Sequence, residues 1–104
     1  MATKQTGKTK NSKADRWVVL RCYYAGVHFG RLVSGDGERT VVLADARRLW
    51  NWAGAKTLSE VATAGIDPSS KVSCEVSRIT IHEVHEQIEC TPEAVTRVRA
   101  ARWP

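Results

Sequence analysis

The sequence has no apolar run that approaches the ~18 residues needed to cross a bilayer. Its positively charged beginning is not followed by an apolar segment, so we expect no secretory signal. The three cysteines, Cys22, Cys74 and Cys90, form no CxxC pair and are odd in number. These features favour a reducing, cytosolic compartment in which the thiols stay free.

The short motifs of common enzymes are also missing. The sequence contains no P-loop, no GxGxxG fingerprint and no nucleophile with a base at a supporting spacing. Glu60, Glu83 and Glu86 are possible bases, but no spacing selects them. His82 and His85 are three residues apart, so on a strand they face opposite sides, which disfavours zinc binding. We therefore predict no catalytic residues, no metal and no cofactor.

Length and composition predict one globular domain behind a polar tail. The chain has 104 residues, 42% hydrophobic and 26% charged. Residues 1–15 hold four lysines and one acid, so they carry +3 of the net charge of +5. We predict a disordered basic tail over 1–15 and a single ligand-binding domain over 16–104. The domain is not basic enough to indicate duplex DNA, so we do not expect nucleic acid as the main partner.

The residue pattern predicts an α+β fold with an antiparallel β-sheet of about five strands and two or three short helices. The first three strands are expected at 17–24, 27–33 and 39–45, with a hairpin turn over 34–37 that ends in Asp-Gly. A short helical turn is expected over 46–52, where basic and aromatic residues show no period of two.

The second half of the chain carries two helix-start signals. Thr57 to Glu60 fits a capping box, and the helix should end at Gly65. Thr91 before Pro92 predicts the start of a basic helix over 92–102. Between the helices, 72–81 and 84–90 are expected to be extended, with bulges where the alternation slips.

Four residues around the turn Ala25-Gly26 form the first candidate binding cluster. They are Arg21, Tyr23, His28 and Phe29. A guanidinium donates paired hydrogen bonds to phosphate and stacks on purines, and an aromatic ring stacked on a base contributes ~1–3 kcal/mol. The alternative is that the two aromatic residues lie in the core and the arginine lies on the surface.

A second cluster combines Arg47 and Arg48 with Trp50 and Trp52. Basic residues interleaved with aromatics are typical of phosphate and base recognition. Alternatively, the tryptophans pin this segment to the sheet or form a subunit interface. On the last helix, Arg99 either belongs to a solvated face with Arg97 and Arg102 or closes over a ligand.

Three strings of this sequence resemble a known phage family. They are VLRCYYAGVHFG (19–30), VVLADARRLWNWAGA (41–55) and LSEVA (58–62). The pattern resembles the first type of Thoeris anti-defence protein over residues 18–65 and, more loosely, over 79–90. This sequence departs from the family at Cys22, Tyr24, Asp45 and Asn51. An added carboxylate at Asp45 would repel a phosphate unless an arginine neutralises it.

The resemblance implies a phage sponge that sequesters immune signals in the cytoplasm of the infected bacterial host without cleaving them. The implied ligands are cyclic ADP-ribose isomers of Thoeris immunity and, for some members, cyclic oligonucleotides (such as cyclic trinucleotides) of CBASS immunity. The implied assembly is a homo-oligomer, dimer or hexamer, with pockets at subunit boundaries. The expected ligand contacts are Arg21, Tyr23, His28, Phe29, Arg47, Arg48, Trp50 and Arg99. The rival interpretations are a nucleic-acid-binding or host-inhibitory phage protein and a small nuclease or phosphodiesterase.

Overall fold

The computed structural model describes residues 15–102, so 1–14 of the predicted tail lie outside the described residues. Within that range the fold is α+β, as predicted, with an antiparallel sheet of six strands and two helices. The elements in chain order are β1 (Trp17–Cys22), β2 (Gly26–Ser34), β3 (Val41–Asn51), α1 (Leu58–Ala64), β4 (Lys71–Val72), β5 (Val76–Ile81), β6 (Val84–Glu89) and α2 (Pro92–Ala100).

The helical turn predicted over 46–52 is wrong, because β3 continues through it to Asn51. Both Arg47 and Leu49 pair with β2. A register shift in this pairing and a φ of 50° at Asp45 mark a β-bulge. The extra residue breaks the alternation of buried and exposed side chains, which hid the strand from pattern analysis. Sheet pairing then decides the conformation over local preference.

The extended segment predicted over 72–81 is divided into two strands. β4 pairs with the end of β3, through Leu49 and Val72, while β5 pairs with its beginning, through Val41 and Ile81. Residues 73–75 lie between the two strands. This break places a loop beside the middle of β3, where Arg47 lies.

The sheet curls until its two ends approach each other. Its order is β4-β3-β2-β1-β6, with β5 also on β3, so β5 and β6 are four strand spacings apart. In a flat sheet that is roughly 19 Å at ~4.8 Å a spacing. The chain from Ile81 to Val84 reaches only roughly 11 Å. The backbone N–H of Val84 donates to the carbonyl of Arg39 at 2.9 Å, which joins the two ends.

The curled sheet has a hydrophobic core on each face. The inner core contains Val18, Leu20, Cys22, Val41, Leu43, Ala46, Ile81 and Val84. The outer core lies under the helices and contains Val19, Phe29, Leu49, Val61, Ala62, Ile66, Val72, Val98 and Ala101. A side chain on the outer face of β3 therefore meets α2, while its neighbour in sequence faces away from it.

The predicted helix starts agree with the structure. The Thr57 hydroxyl accepts a hydrogen bond from the Glu60 amide at 3.2 Å, although the Glu60 carboxylate accepts from the Lys56 amide instead of completing the capping box. Thr91 caps α2 by accepting from the Ala94 amide at 3.1 Å. Neither helix in residues 15–102 is long and apolar enough to span a membrane.

Candidate functional site

Arg47 is the buried cation of the fold's outer face. It pairs in register with Phe29 and is only 6% exposed. Its Nε donates to the carbonyl of Ser73 at 2.8 Å, and its Nη1 donates to the carbonyls of Val98 and Arg99 at 2.9 and 3.0 Å. Within residues 15–102, its Nη2 donates no hydrogen bond. Arg47 also lines a cleft, where this group can donate to an acceptor from solution.

A cleft of about 380 Å³ opens beside Arg47. It lies between the end of α2 and the loop of residues 73–75. The side chains that line it are Arg47, Cys74, Glu75, Arg99 and Arg102. Its volume falls within the range of about 300–1,000 Å³ that is usual for small-molecule sites. Three guanidinium groups face one carboxylate, so the cleft attracts anions.

Arg99 is oriented by contacts on two sides. Its Nε and Nη2 donate to the two carboxylate oxygens of Glu75 at 3.0 and 3.1 Å. Its guanidinium carbon lies 4.7 Å from the centre of the Trp17 ring. The hydrogen bonds that Arg99 donates to the Glu75 carboxylate raise the pKa of Arg99. This geometry presents a planar, stacked guanidinium, which suits recognition of phosphate.

Arg102 and Arg47 both donate hydrogen bonds to backbone carbonyls at the end of α2. Nη1 of Arg102 donates to the carbonyls of Arg99 and Ala101, each at 3.0 Å. The last carbonyls of a helix have no partner inside the helix and carry a partial negative charge, so cations stabilise this end. Burial lowers the pKa of Arg47, and the charge of Arg102 lowers it further. An anion in the cleft would reduce the repulsion between these two positive charges.

The Asp45 carboxylate, which the sequence suggested would repel a phosphate, forms an ion pair with an arginine. Nε of Arg31 lies 3.2 Å from a carboxylate oxygen of Asp45. Since Asp45 has a φ of 50°, its backbone is in a region that aspartate and asparagine tolerate better than most residues. The carboxylate therefore has an arginine partner and a structural reason for its position.

A second group of the predicted site residues comes together at the β2–β3 pair. His28 and Arg48 are register neighbours and, together with Arg47, partly line a cavity of about 180 Å³. Nε2 of His28 lies 3.0 Å from the carbonyl of Ala25. Burial lowers the pKa of His28, and the charge of Arg48 adds to this. The Arg48 guanidinium lies 5.9 Å from the ring centre of Trp50, which is 62% exposed.

Arg21 and Tyr23 lie outside both groups. The ring of Tyr23, 65% exposed, stacks on His85 at 5.4 Å and meets Tyr24 edge-on at 4.5 Å. Nη1 of Arg21 lies 3.8 Å from the Glu86 carboxylate. These residues line neither the arginine cleft nor the cavity beside His28.

Phe29 lies in the outer core with no exposed surface. Its ring stacks on Trp17 at 5.3 Å, with 24° between the ring planes. Trp52 is half-buried and packs against the same core. We therefore do not include Phe29 or Trp52 in the binding surface that we propose below.

Three side chains of the cleft, Cys74, Glu75 and Arg102, are not among the ligand contacts expected from the sequence. Glu75 and Cys74 occupy the loop between β4 and β5, which the sequence pattern placed inside a strand. Cys74 is an exposed free thiol. Among residues 15–102, no group of three or more histidine, cysteine or acidic side chains is placed to hold a metal ion.

One family model matches residues 15–98, and its description is "Domain of unknown function (DUF6948)". No curated protein and no solved structure matches the chain.

Proposed function

The chain belongs to this family of unknown function, and we propose that it is a phage anti-defence protein that sequesters cyclic ADP-ribose isomers. The proposed site is the arginine cleft, where Arg47, Arg99 and Arg102 bind the pyrophosphate. The resemblance of residues 18–65 to Thoeris anti-defence proteins selects this ligand among phosphate compounds. Cyclic trinucleotides of CBASS immunity are a second class of candidate ligands. The proposed location is the cytoplasm of the infected host.

The observation that carries the proposal is the guanidinium of Arg47, which backbone carbonyls hold in place beside the cleft. Its Nε and Nη1 are fixed by three backbone carbonyls, so the guanidinium plane is set before a ligand arrives. Its Nη2 has no acceptor among residues 15–102. A phosphate oxygen in the cleft would supply that acceptor. A preorganised donor loses little entropy on binding, which favours high affinity.

We propose binding without cleavage, because the cleft suits holding an anion. Glu75 is the one carboxylate among the residues that line the cleft, so the cleft has no second acid to protonate a leaving group. A nucleophilic role for Cys74 would need a base, and no histidine is among the residues that line the cleft. Sequestration requires slow release of the ligand rather than stabilisation of a transition state.

The base and ribose of the ligand would need further contacts. We propose that a second copy of the chain supplies them. Trp50 and Tyr23 each expose more than half of their surface. Such aromatic residues are enriched at interfaces and stack well on bases. Analytical ultracentrifugation of the wild type and of Trp50→Glu tests this part. We expect a dimer or hexamer that Trp50→Glu dissociates; a wild-type monomer would contradict it.

The proposal is tested by depletion and recovery of the ligand. The protein is mixed with cyclic ADP-ribose, free ligand is measured after ultrafiltration, and the retained fraction is analysed after heat denaturation. We expect the free ligand to fall and intact ligand to be released. Breakdown products would indicate an enzyme, and undiminished free ligand would contradict binding. Titration with duplex DNA at rising salt tests the nucleic-acid alternative.

Two variants test the position of the site. We expect Arg99→Gln and Arg102→Gln each to weaken binding by about 10-fold or more, because a charge-assisted hydrogen bond contributes ~1.5–3 kcal/mol. Lys56→Gln is the matched control, since it removes one charge from an exposed side chain before α1. Equal losses in all three variants would indicate a general charge effect instead of a site.

A further inference from the structure

Cys74 is an exposed free thiol in the wall of the arginine cleft. It lies in the loop of residues 73–75 and shares the cleft with Arg47, Arg99 and Arg102. Burial and the charge of Arg102 lower the pKa of Arg47, and negative charge on Cys74 is among the factors that oppose this. A thiolate at Cys74 is therefore within electrostatic reach of a guanidinium group.

Arg47 indicates, independently of the thiol, that this cleft accepts an anion. The residue is only 6% exposed, and three backbone carbonyls fix its Nε and Nη1. Its Nη2 donates no hydrogen bond to residues 15–102. The lining contains three arginines and one glutamate, which leaves a surplus of positive charge. Reagents that carry carboxylates are therefore attracted to the cleft, beside the Cys74 thiol.

The other two cysteines are less available for reaction. Cys22 is 7% exposed, and burial raises the pKa of its thiol. Burial and then the charge of Glu89 raise the pKa of Cys90, which is half-buried, to about 12. Because the thiolate is the nucleophile in thiol chemistry, both of these groups should react slowly in the folded protein. Cys74 is thus the thiol that a reagent from solution meets first.

We propose that Cys74 is a modification site for disulfides that carry carboxylates, of which glutathione disulfide is the cellular example. The Cys74 thiolate attacks one sulfur of the reagent, and a mixed disulfide forms. The sulfur–sulfur bond of the reagent breaks, and its other half leaves as a thiolate that takes up a proton. No general base is needed, because a free cysteine is partly thiolate near neutral pH. The modification uses the geometry of the cleft alone, so it goes beyond the proposed function and does not depend on cyclic ADP-ribose as the ligand.

Two disulfides that differ in charge test the role of the arginines. Dithiobis(nitrobenzoate) carries one carboxylate on each ring, whereas dithiodipyridine is uncharged near neutral pH. The rate constant of each reagent with the full-length protein is measured by stopped-flow absorbance at one pH, with N-acetylcysteine amide as an uncharged reference thiol. The ratio of the two rate constants does not depend on the fraction of thiolate, because both reagents react with the same thiolate. It therefore reports the attraction of the cleft for the carboxylates.

We expect one fast phase, which Cys74→Ser removes, and a ratio of anionic to neutral rate constants at least about 3-fold above that of the reference thiol. Arg99→Gln should lower this ratio and Glu75→Gln should raise it, each by about 2- to 5-fold, because they remove charges of opposite sign beside the thiol. Lys56→Gln is the control, since it removes one charge from an exposed side chain outside the cleft and should leave the ratio unchanged. Circular dichroism checks that each variant folds.

Mass spectrometry tests the cellular reagent. After incubation of the wild type with glutathione disulfide, we expect one glutathione on the peptide that contains Cys74. Dithiothreitol should remove it, because a mixed disulfide is reversible.

Three results would overturn the assignment of this site. A fast phase that persists in Cys74→Ser would place the reactive thiol elsewhere. A ratio equal to that of the reference thiol, which neither Arg99→Gln nor Glu75→Gln changes, would show that the cleft does not select anionic disulfides. Absence of a glutathione adduct on Cys74 would exclude the cellular reagent. A failure to deplete cyclic ADP-ribose would overturn the proposed function alone, because the thiol reactions are measured without that ligand.

Discussion

Nη1 of Arg47 lies 2.9 Å from the carbonyl oxygen of Val98, which ties the middle of β3 to the last turn of α2 across 51 positions of sequence. Through Nε the same guanidinium also holds the carbonyl of Ser73. One side chain therefore joins a strand, a loop and a helix, and these three elements build the cleft.

We predict that Arg47→Met lowers the free energy of unfolding by about 2–4 kcal/mol, because it removes charged hydrogen bonds to three carbonyls. Urea denaturation measures the change. The control is Arg48→Met, which alters the exposed neighbour and should cost less than about 1 kcal/mol. Equal effects of the two changes would contradict the structural role of Arg47.

Phe29→Ala is expected to destabilise the protein by about 3–5 kcal/mol, since its fully buried ring leaves a cavity beside Trp17. Tyr23→Ala should change stability by less than about 0.5 kcal/mol, because this ring is mostly exposed. Thermal or urea unfolding of both variants checks the contrast. A mild effect of Phe29→Ala would indicate that the ring is available to a ligand.

Alanine substitutions at Gly65 and Gly37 separate the free-energy cost of a steric clash from the cost of backbone strain. Both have positive φ, at 87° and 75°. A Cβ at Gly65 would lie 2.7 Å from the Cβ of Arg97, whereas nothing lies within 4 Å of one at Gly37. We predict a loss of roughly 1–2 kcal/mol for Gly37→Ala and roughly 2–4 kcal/mol for Gly65→Ala. Similar losses in urea denaturation would argue against close packing of α1 on α2.

Stability should fall as the pH drops below about 6.5, because His28 is held neutral in the fold. Burial and then the charge of Arg48 lower its pKa in the folded state. The unfolded chain therefore binds the proton first, so this contribution is present above pH ~6.5 and is lost towards the lower folded pKa. In urea denaturation midpoints measured between pH 5 and 8, His28→Gln should flatten the dependence of stability on pH. An unchanged slope in His28→Gln would contradict this assignment.

The parts of the fold that depend only on residues close together in the sequence were predictable from it. Thr57 and Thr91 cap their helices as expected, because a cap is decided within a few residues. β3 beyond Asp45 was not predictable, since the bulge shifts its alternation and distant strands provide its pairing. The capping role of Arg47 depends on where α2 docks, and no local pattern carries that information.

For the candidate site, sequence analysis identified arginines and aromatics but not their grouping. Arg47 and Arg48 are adjacent in sequence, yet Arg47 binds the end of α2 while Arg48 lies near Trp50, although both line the cavity beside His28. Arg99 joins Arg47 only through the packing of α2 on the sheet. Glu75 carried no signal, because a single glutamate within an extended segment usually marks a solvated position.

The most direct test of the arginine cleft is the NMR spectrum of the arginine Nε–H groups during titration with cyclic ADP-ribose. We predict that the signals of Arg47 and Arg99 shift with the ligand, while that of Arg39, which pairs with Glu83 outside the cleft, stays in place. Ligand binding that leaves Arg47 and Arg99 unchanged and shifts only Arg21 or Arg48 would contradict the account.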